Sequence, residues 1–118
     1  MSKNNRRTTH ENGATLYWLH ATNIVTVTTD EQGWKATLRK NGWQTPTTKK
    51  AINEVIQSMG WTLYQEEYRW FVWHRETNTS YRFVDDMAVF GDGTVQYPTT
   101  FRLDGYVVST CEQEALHV

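Results

Sequence analysis

The stretch Asn41-Gly-Trp-Gln-Thr-Pro-Thr-Thr-Lys-Lys50 runs into Ala51-Ile-Asn-Glu-Val-Ile-Gln-Ser-Met59, and its reading decides the fold. Ile52, Val55, Ile56 and Met59 recur at i, i+3, i+4 and i+7, with Asn53, Glu54, Gln57 and Ser58 between them. That is an amphipathic helix with one side laid on a sheet. Thr47 or Thr48 is placed to supply the N-cap hydroxyl, Pro46 disfavours helix just before it, and Gly60 suits a left-handed C-terminal cap. This framing puts Lys49 and Lys50 in the first turn, where the helix dipole favours acids over cations. Free N–H groups beside two lysines suit a phosphate or carboxylate, so the helix start is a candidate anion site.

On the N-terminal side, residues 15–21 and 24–29 are rich in β-branched and aromatic types, and Asp30-Glu-Gln-Gly33 is a turn signal. Trp34, Ala36 and Leu38 then alternate with Lys35, Thr37 and Arg39, the period of a half-buried strand. On the C-terminal side, residues 61–65 and 68–74 read as a hairpin about Glu66-Glu67, followed by strands at 80–84, 87–90 and 94–97. The expected fold is α+β: an antiparallel sheet of about three strands, one helix packed on one face, then three to five strands. Residues 1–13 are polar apart from Met1 and read as a flexible N-terminal tail, 14–110 as a single domain, and 111–118 as a C-terminal tail.

A chain of 118 residues can bury roughly two thirds of its unfolded surface around one core. Six Trp and six Tyr are many for that length, so aromatic packing is expected to dominate. No apolar run approaches the ~18 residues of a membrane helix, and the N-terminus lacks a signal peptide's apolar segment. A soluble protein of the cytoplasm is the expectation. The single Cys111 excludes an intrachain disulfide and a multi-cysteine zinc site.

The net charge of −1 hides a polarity: residues 1–53 hold eight Lys/Arg against three Asp/Glu, and residues 54–118 hold four against ten. Two different fields follow if the halves do not interleave. The basic half, with Arg69 and Trp70 from an aromatic strand, offers Lys35, Arg39, Lys40, Lys49 and Lys50 for an anion or a single nucleic-acid strand. The acidic half offers Glu66, Glu67, Asp85, Asp86 and Asp92, together with Asp104, as a patch for a partner protein.

Catalytic signatures are missing. No Ser, Cys or Thr sits in a recognisable elbow, and the histidines are scattered at positions 10, 20, 74 and 117. His20 and His74 fall in expected strands, the setting of a satisfied imidazole. Asp85, Asp86 and Asp92 match no calcium-loop spacing, Gly91-Asp92-Gly93 is a turn sequence, and no glycine-rich phosphate loop occurs. The expectation is a non-enzymatic protein with no metal and no cofactor.

The segment from Asn41 through Thr45, Thr47-Thr48-Lys49-Lys50 and Ile52-Asn53, followed by the aromatic hairpin from Trp61 to Trp73, resembles a group of small uncharacterised bacteriophage-encoded proteins with a GW-T-TTK--IN core. The likeness covers roughly residues 15–75. It implies a viral accessory role: binding a host protein or nucleoprotein complex, including defence machines such as CRISPR effectors, as a monomer or homodimer without a membrane. The other class left open is direct binding of a single strand or nucleotide by the basic helix start and aromatic strands.

Overall fold

A computed structural model describes residues 6–109; the expected C-terminal tail from 111, with Cys111, lies outside them, as do residues 1–5 of the expected N-terminal tail. Eleven described strands surround one helix. They are β1 (Arg6–Glu11), β2 (Ala14–Leu19), β3 (Thr22–Asp30), β4 (Gly33–Leu38), the helix α1 (Pro46–Ile56), β5 (Trp61–Glu66), β6 (Arg69–His74), β7 (Thr79–Arg82), β8 (Met87–Phe90), β9 (Val95–Gln96), β10 (Thr100–Leu103) and β11 (Tyr106–Ser109). A six-stranded sheet runs β1-β2-β3-β4-β8-β9, a three-stranded sheet β5-β6-β7, and β10-β11 form a separate hairpin. Every pairing is antiparallel.

The alternation in β4 has the consequence its period demands. Register pairs Val25 with Leu38 and Leu38 with Met87, and Val27 with Ala36 and Ala36 with Val89, so these six side chains share one face of the large sheet. Lys35 and Thr37 point the other way. Helix α1 packs on β2, β3 and β5 and inserts Ile52 and Ile56, both fully buried, into the same cluster as Trp61, Leu63 and Val72. Trp61 ties the two sheets together by donating its indole N–H to Phe90 O at 3.0 Å. The mixed α+β character stands as expected, with more strands and three sheets.

Three local expectations are corrected. Residues 6–11, read as part of a tail, form β1, because Asn12 (φ 52°) and Gly13 (φ 83°) make the two-residue turn that folds this segment onto β2. Arg6 also reaches the helix, forming an ion pair with Glu54. His20 lies in a turn rather than a strand, at φ 57°. The hairpin between β5 and β6 turns on Glu67-Tyr68, one residue later than Glu66-Glu67. His74, by contrast, is a buried satisfied imidazole: its Nδ1 accepts from Thr77 N at 3.2 Å.

Candidate functional site

The helix starts earlier than its sequence suggests. Thr45 is the N-cap, its Oγ1 accepting from Thr48 N at 3.2 Å, and Pro46 takes the first helical position. Lys49 N already donates to Thr45 O at 3.0 Å, so Lys49 closes the first turn and Lys50 follows it. Pro46 has no N–H and the donors of Thr48 and Lys49 are engaged. A cradle of free N–H groups does not exist at this helix start, and the apparent conflict between lysines and dipole dissolves.

The basic and acidic halves interleave, because β4 pairs with β8. Arg39 pairs with Asp86, with Nε to Oδ1 at 2.7 Å. Asp85 accepts backbone N–H bonds from Lys40 at 2.7 Å and Asn41 at 3.1 Å, fixing the turn in which Asn41 (φ 49°) and Gly42 (φ 84°) both carry positive φ. Asp92 is occupied within its own turn, accepting from Thr94 N and Thr94 Oγ1, which hold its carboxyl below the usual range. Glu66 and Glu67 are exposed at the β5–β6 hairpin. The acids expected as one patch are divided: Asp85 and Asp86 line one cleft with Asp104, Asp92 is not among them, and Asp85, Asp86 and Asp92 each serve local structure.

The basic candidates separate likewise. Lys35 lies on the solvent face of β4, and Lys49 and Lys50 form no ion pair among the described residues. Trp70 is core: it is buried, packs edge-on against Phe83 with centroids 5.4 Å apart, and donates its indole N–H to Gln65 Oε1. Lys40, Arg69 and Trp70 are nevertheless brought together, lining one cleft of about 400 Å³ with Gln44, Tyr68, Arg82, Arg102 and Asp104.

Arg82 and Arg102 are members that charge counting did not single out as a site, and Asp104, expected in an acidic patch, is found among them. Arg82 forms a bidentate pair with Asp104 at 2.8 and 3.2 Å, and Arg69 Nε stands 3.5 Å from the same carboxylate. The signal available was Asp104-Gly105, a hairpin-turn dipeptide between apolar strands, which folds β10 and β11 back and presents Asp104 to the arginines.

Of two exposed aromatics, Tyr68 lines this cleft, whereas Trp43 lines a second pocket with Leu19, His20 and the helix start, the two pockets sharing Lys40. Trp43 is 60% exposed, although its place beside the helix cap suggests a structural role, and Tyr68 is 86% exposed. The loop of one is bonded to the turn of the other: Gln44 Nε2 donates to Tyr68 O at 2.9 Å. Glu67 and Tyr68 form a type I′ turn at φ 54° and 67° without a glycine, a conformation that costs an L-residue about 1 to 2 kcal/mol each. The strain holds an aromatic ring outward at the tip of a hairpin.

The family model described as Kyanoviridae Gp96 protein matches residues 2–90, most of the chain. The chain belongs to the Kyanoviridae Gp96 protein family. It is thus a protein of a bacteriophage family, as the resemblance of the helix-start segment implied. No curated protein and no solved structure gives a significant match. The Gp96 match ends at Phe90, so Lys40, Arg69 and Arg82 come from the matched part, and Arg102 and Asp104 from beyond it. No helix among the described residues is long and apolar enough to cross a membrane.

Proposed function

We propose that this Gp96-family protein is a phage accessory protein that works by stoichiometric, non-catalytic binding to a host protein or nucleoprotein complex, inhibiting a defence machine of the CRISPR type. The observation that carries the reading is the strained Glu67-Tyr68 turn beside exposed Trp43 and the arginine-lined cleft. Tyr, Trp and Arg are the residue types that dominate binding energy at protein interfaces, and backbone strain concentrates where function requires a fixed projection. The contact face is therefore this aromatic and cationic surface rather than an acidic patch. Tyr68→Ala and Trp43→Ala should each weaken capture of the host complex by about tenfold or more, with melting temperature little changed. Equal capture by wild type and both variants would contradict the reading.

A second reading has its own observation. Four cations, Lys40, Arg69, Arg82 and Arg102, line one cleft beside Tyr68, a combination suited to a phosphate and a stacked base. Direct binding of single-stranded nucleic acid then requires a mobility shift at low salt that weakens steeply as salt rises. No shift with DNA or RNA removes this alternative.

A further inference from the structure

Asp104 is an internal carboxylate in a cleft with more cations than it can neutralise. Arg82 holds it by two hydrogen bonds, Arg69 approaches it more loosely, and Arg102 and Lys40 line the same cleft with no ion-pair partner among the described residues. The other two acids there are engaged elsewhere, Asp85 by backbone N–H groups and Asp86 by Arg39. The acids keep their charges, so four cations, Lys40, Arg69, Arg82 and Arg102, face three carboxylates and the cleft walls carry a net charge of +1.

The hairpin carrying Asp104 does not depend on it for attachment. Phe101 is buried and stacks on Tyr97 with centroids 5.2 Å apart, and Leu103 and Val108 pack against the core. Tyr97 O–H in turn donates to Arg82 O at 3.0 Å, which fixes the strand end bearing that arginine. Arg82 is therefore positioned by groups other than its carboxylate partner, and Arg69, about half exposed, is free to turn outward.

We infer that this cleft docks an acidic peptide segment of the bound protein, its carboxylates taken by Arg69, Arg102 and Lys40 in competition with Asp104. The inference rests on the protein-binding reading and names the chemistry of the partner at the cleft. A peptide fits better than a nucleic-acid strand for two reasons. The guanidinium of Arg82 already holds a carboxylate in bidentate geometry, and Asp85, Asp86 and Asp104 on the walls oppose a backbone with a charge on every nucleotide. A peptide can space its acids to meet the cations alone.

The test is fluorescence anisotropy at low salt with the full-length protein, using a short labelled peptide that alternates glutamate and glycine and a labelled oligothymidylate. The peptide is expected to bind wild type, to bind Asp104→Asn roughly twofold to fivefold more tightly, and to bind Arg102→Gln more weakly by a similar factor. Asp104→Asn keeps an Asn-Gly turn at a modest cost in stability, and Arg102 is exposed and unpaired among the described residues, so both variants are expected to fold. Unchanged or weaker binding by Asp104→Asn, unchanged binding by Arg102→Gln, or binding of the oligothymidylate in place of the peptide overturns the inference. Peptide binding as expected without capture of any host complex upholds the cleft and removes the host-binding reading. Host capture unaffected by Arg69→Gln with Arg102→Gln does the reverse.

Discussion

Asn53 grips Leu63 with both halves of its amide: Oδ1 accepts from Leu63 N at 2.7 Å, and Nδ2 donates to Leu63 O at 2.9 Å. The helix thereby satisfies the outer edge of β5, which has β6 on one side only. An edge strand left unpaired beside a helix would bury an orphaned donor and acceptor. Ile52 beside it is fully buried, so the Ile52-Asn53 pair joins core packing to edge satisfaction in two consecutive residues.

Replacing Asn53 with leucine removes two hydrogen bonds and leaves a partly buried N–H and C=O without partners. The expected loss is about 2 to 4 kcal/mol, read as a lower urea midpoint at unchanged slope. A loss below about 0.5 kcal/mol would mean that water replaces the amide without cost.

Cap and lysines should respond oppositely at the helix start. Thr45→Ala removes the hydroxyl that accepts from Thr48 N and should cost about 1 kcal/mol. Lys49→Glu with Lys50→Glu should stay within about 0.5 kcal/mol of wild type, because both side chains lie at or past the end of the first turn and form no ion pair among the described residues. Thermal melts of the two variants side by side decide the order.

The Asp104 contact gives a pH signature. Hydrogen bonds from Arg82, reinforced by the charges of Arg82 and Arg69, hold this carboxyl below its ordinary value of 3.8 against the smaller opposing effect of desolvation. A carboxyl lowered on folding contributes stability that is complete above the unfolded value and disappears as pH falls through the folded one. The stability difference between wild type and Asp104→Asn should therefore be constant from neutral pH to about pH 5 and close as pH falls below about 4. Asp92, lowered by Thr94, is common to both proteins and cancels in the difference. Denaturant titrations across this range supply the measurement.

Relieving the strained turn should separate stability from binding. Glu67→Asn with Tyr68→Gly installs the dipeptide that a type I′ turn favours and should raise stability by about 1 to 2 kcal/mol. The same change deletes the exposed ring, so host capture should fall while the melting temperature rises. A variant that is more stable and equally competent would place the contact away from this hairpin.

What could be read beforehand divides along physical lines. Helix α1, β4 and the aromatic strands announced themselves because a buried face imposes a period on the sequence. Strand β1 did not, since Arg6-Arg-Thr-Thr-His-Glu11 is a polar edge strand whose only cue is the Asn12-Gly13 turn after it. The β10-β11 hairpin carried an equivalent cue in Asp104-Gly105, together with Phe101, Leu103, Val107 and Val108 around it. The helix start was misplaced because proline is favoured at the first helical position, which moves the cap back to Thr45. The charge pattern misled for a topological reason. Arg39 finds Asp86 across 47 positions, a pairing that a count along the chain treats as two separate fields. The cleft was half legible: Lys40 and Arg69 were candidates, whereas Asp104 acquires its role only once a hairpin delivers it to Arg82.

The central claim is that the Gp96-family protein acts by binding through the surface formed by Tyr68, Arg69 and Arg102, with Trp43 on the loop bonded to the Tyr68 turn. The most direct measurement is quantitative affinity capture from host lysate with three baits: wild type, Tyr68→Ala with Arg69→Gln, and Lys49→Glu with Lys50→Glu. The expected result is one complex retained in fixed stoichiometry by wild type and by the lysine variant, and lost at least about tenfold with the Tyr68 and Arg69 variant. Retention of no specific complex, or equal retention by all three, would contradict it.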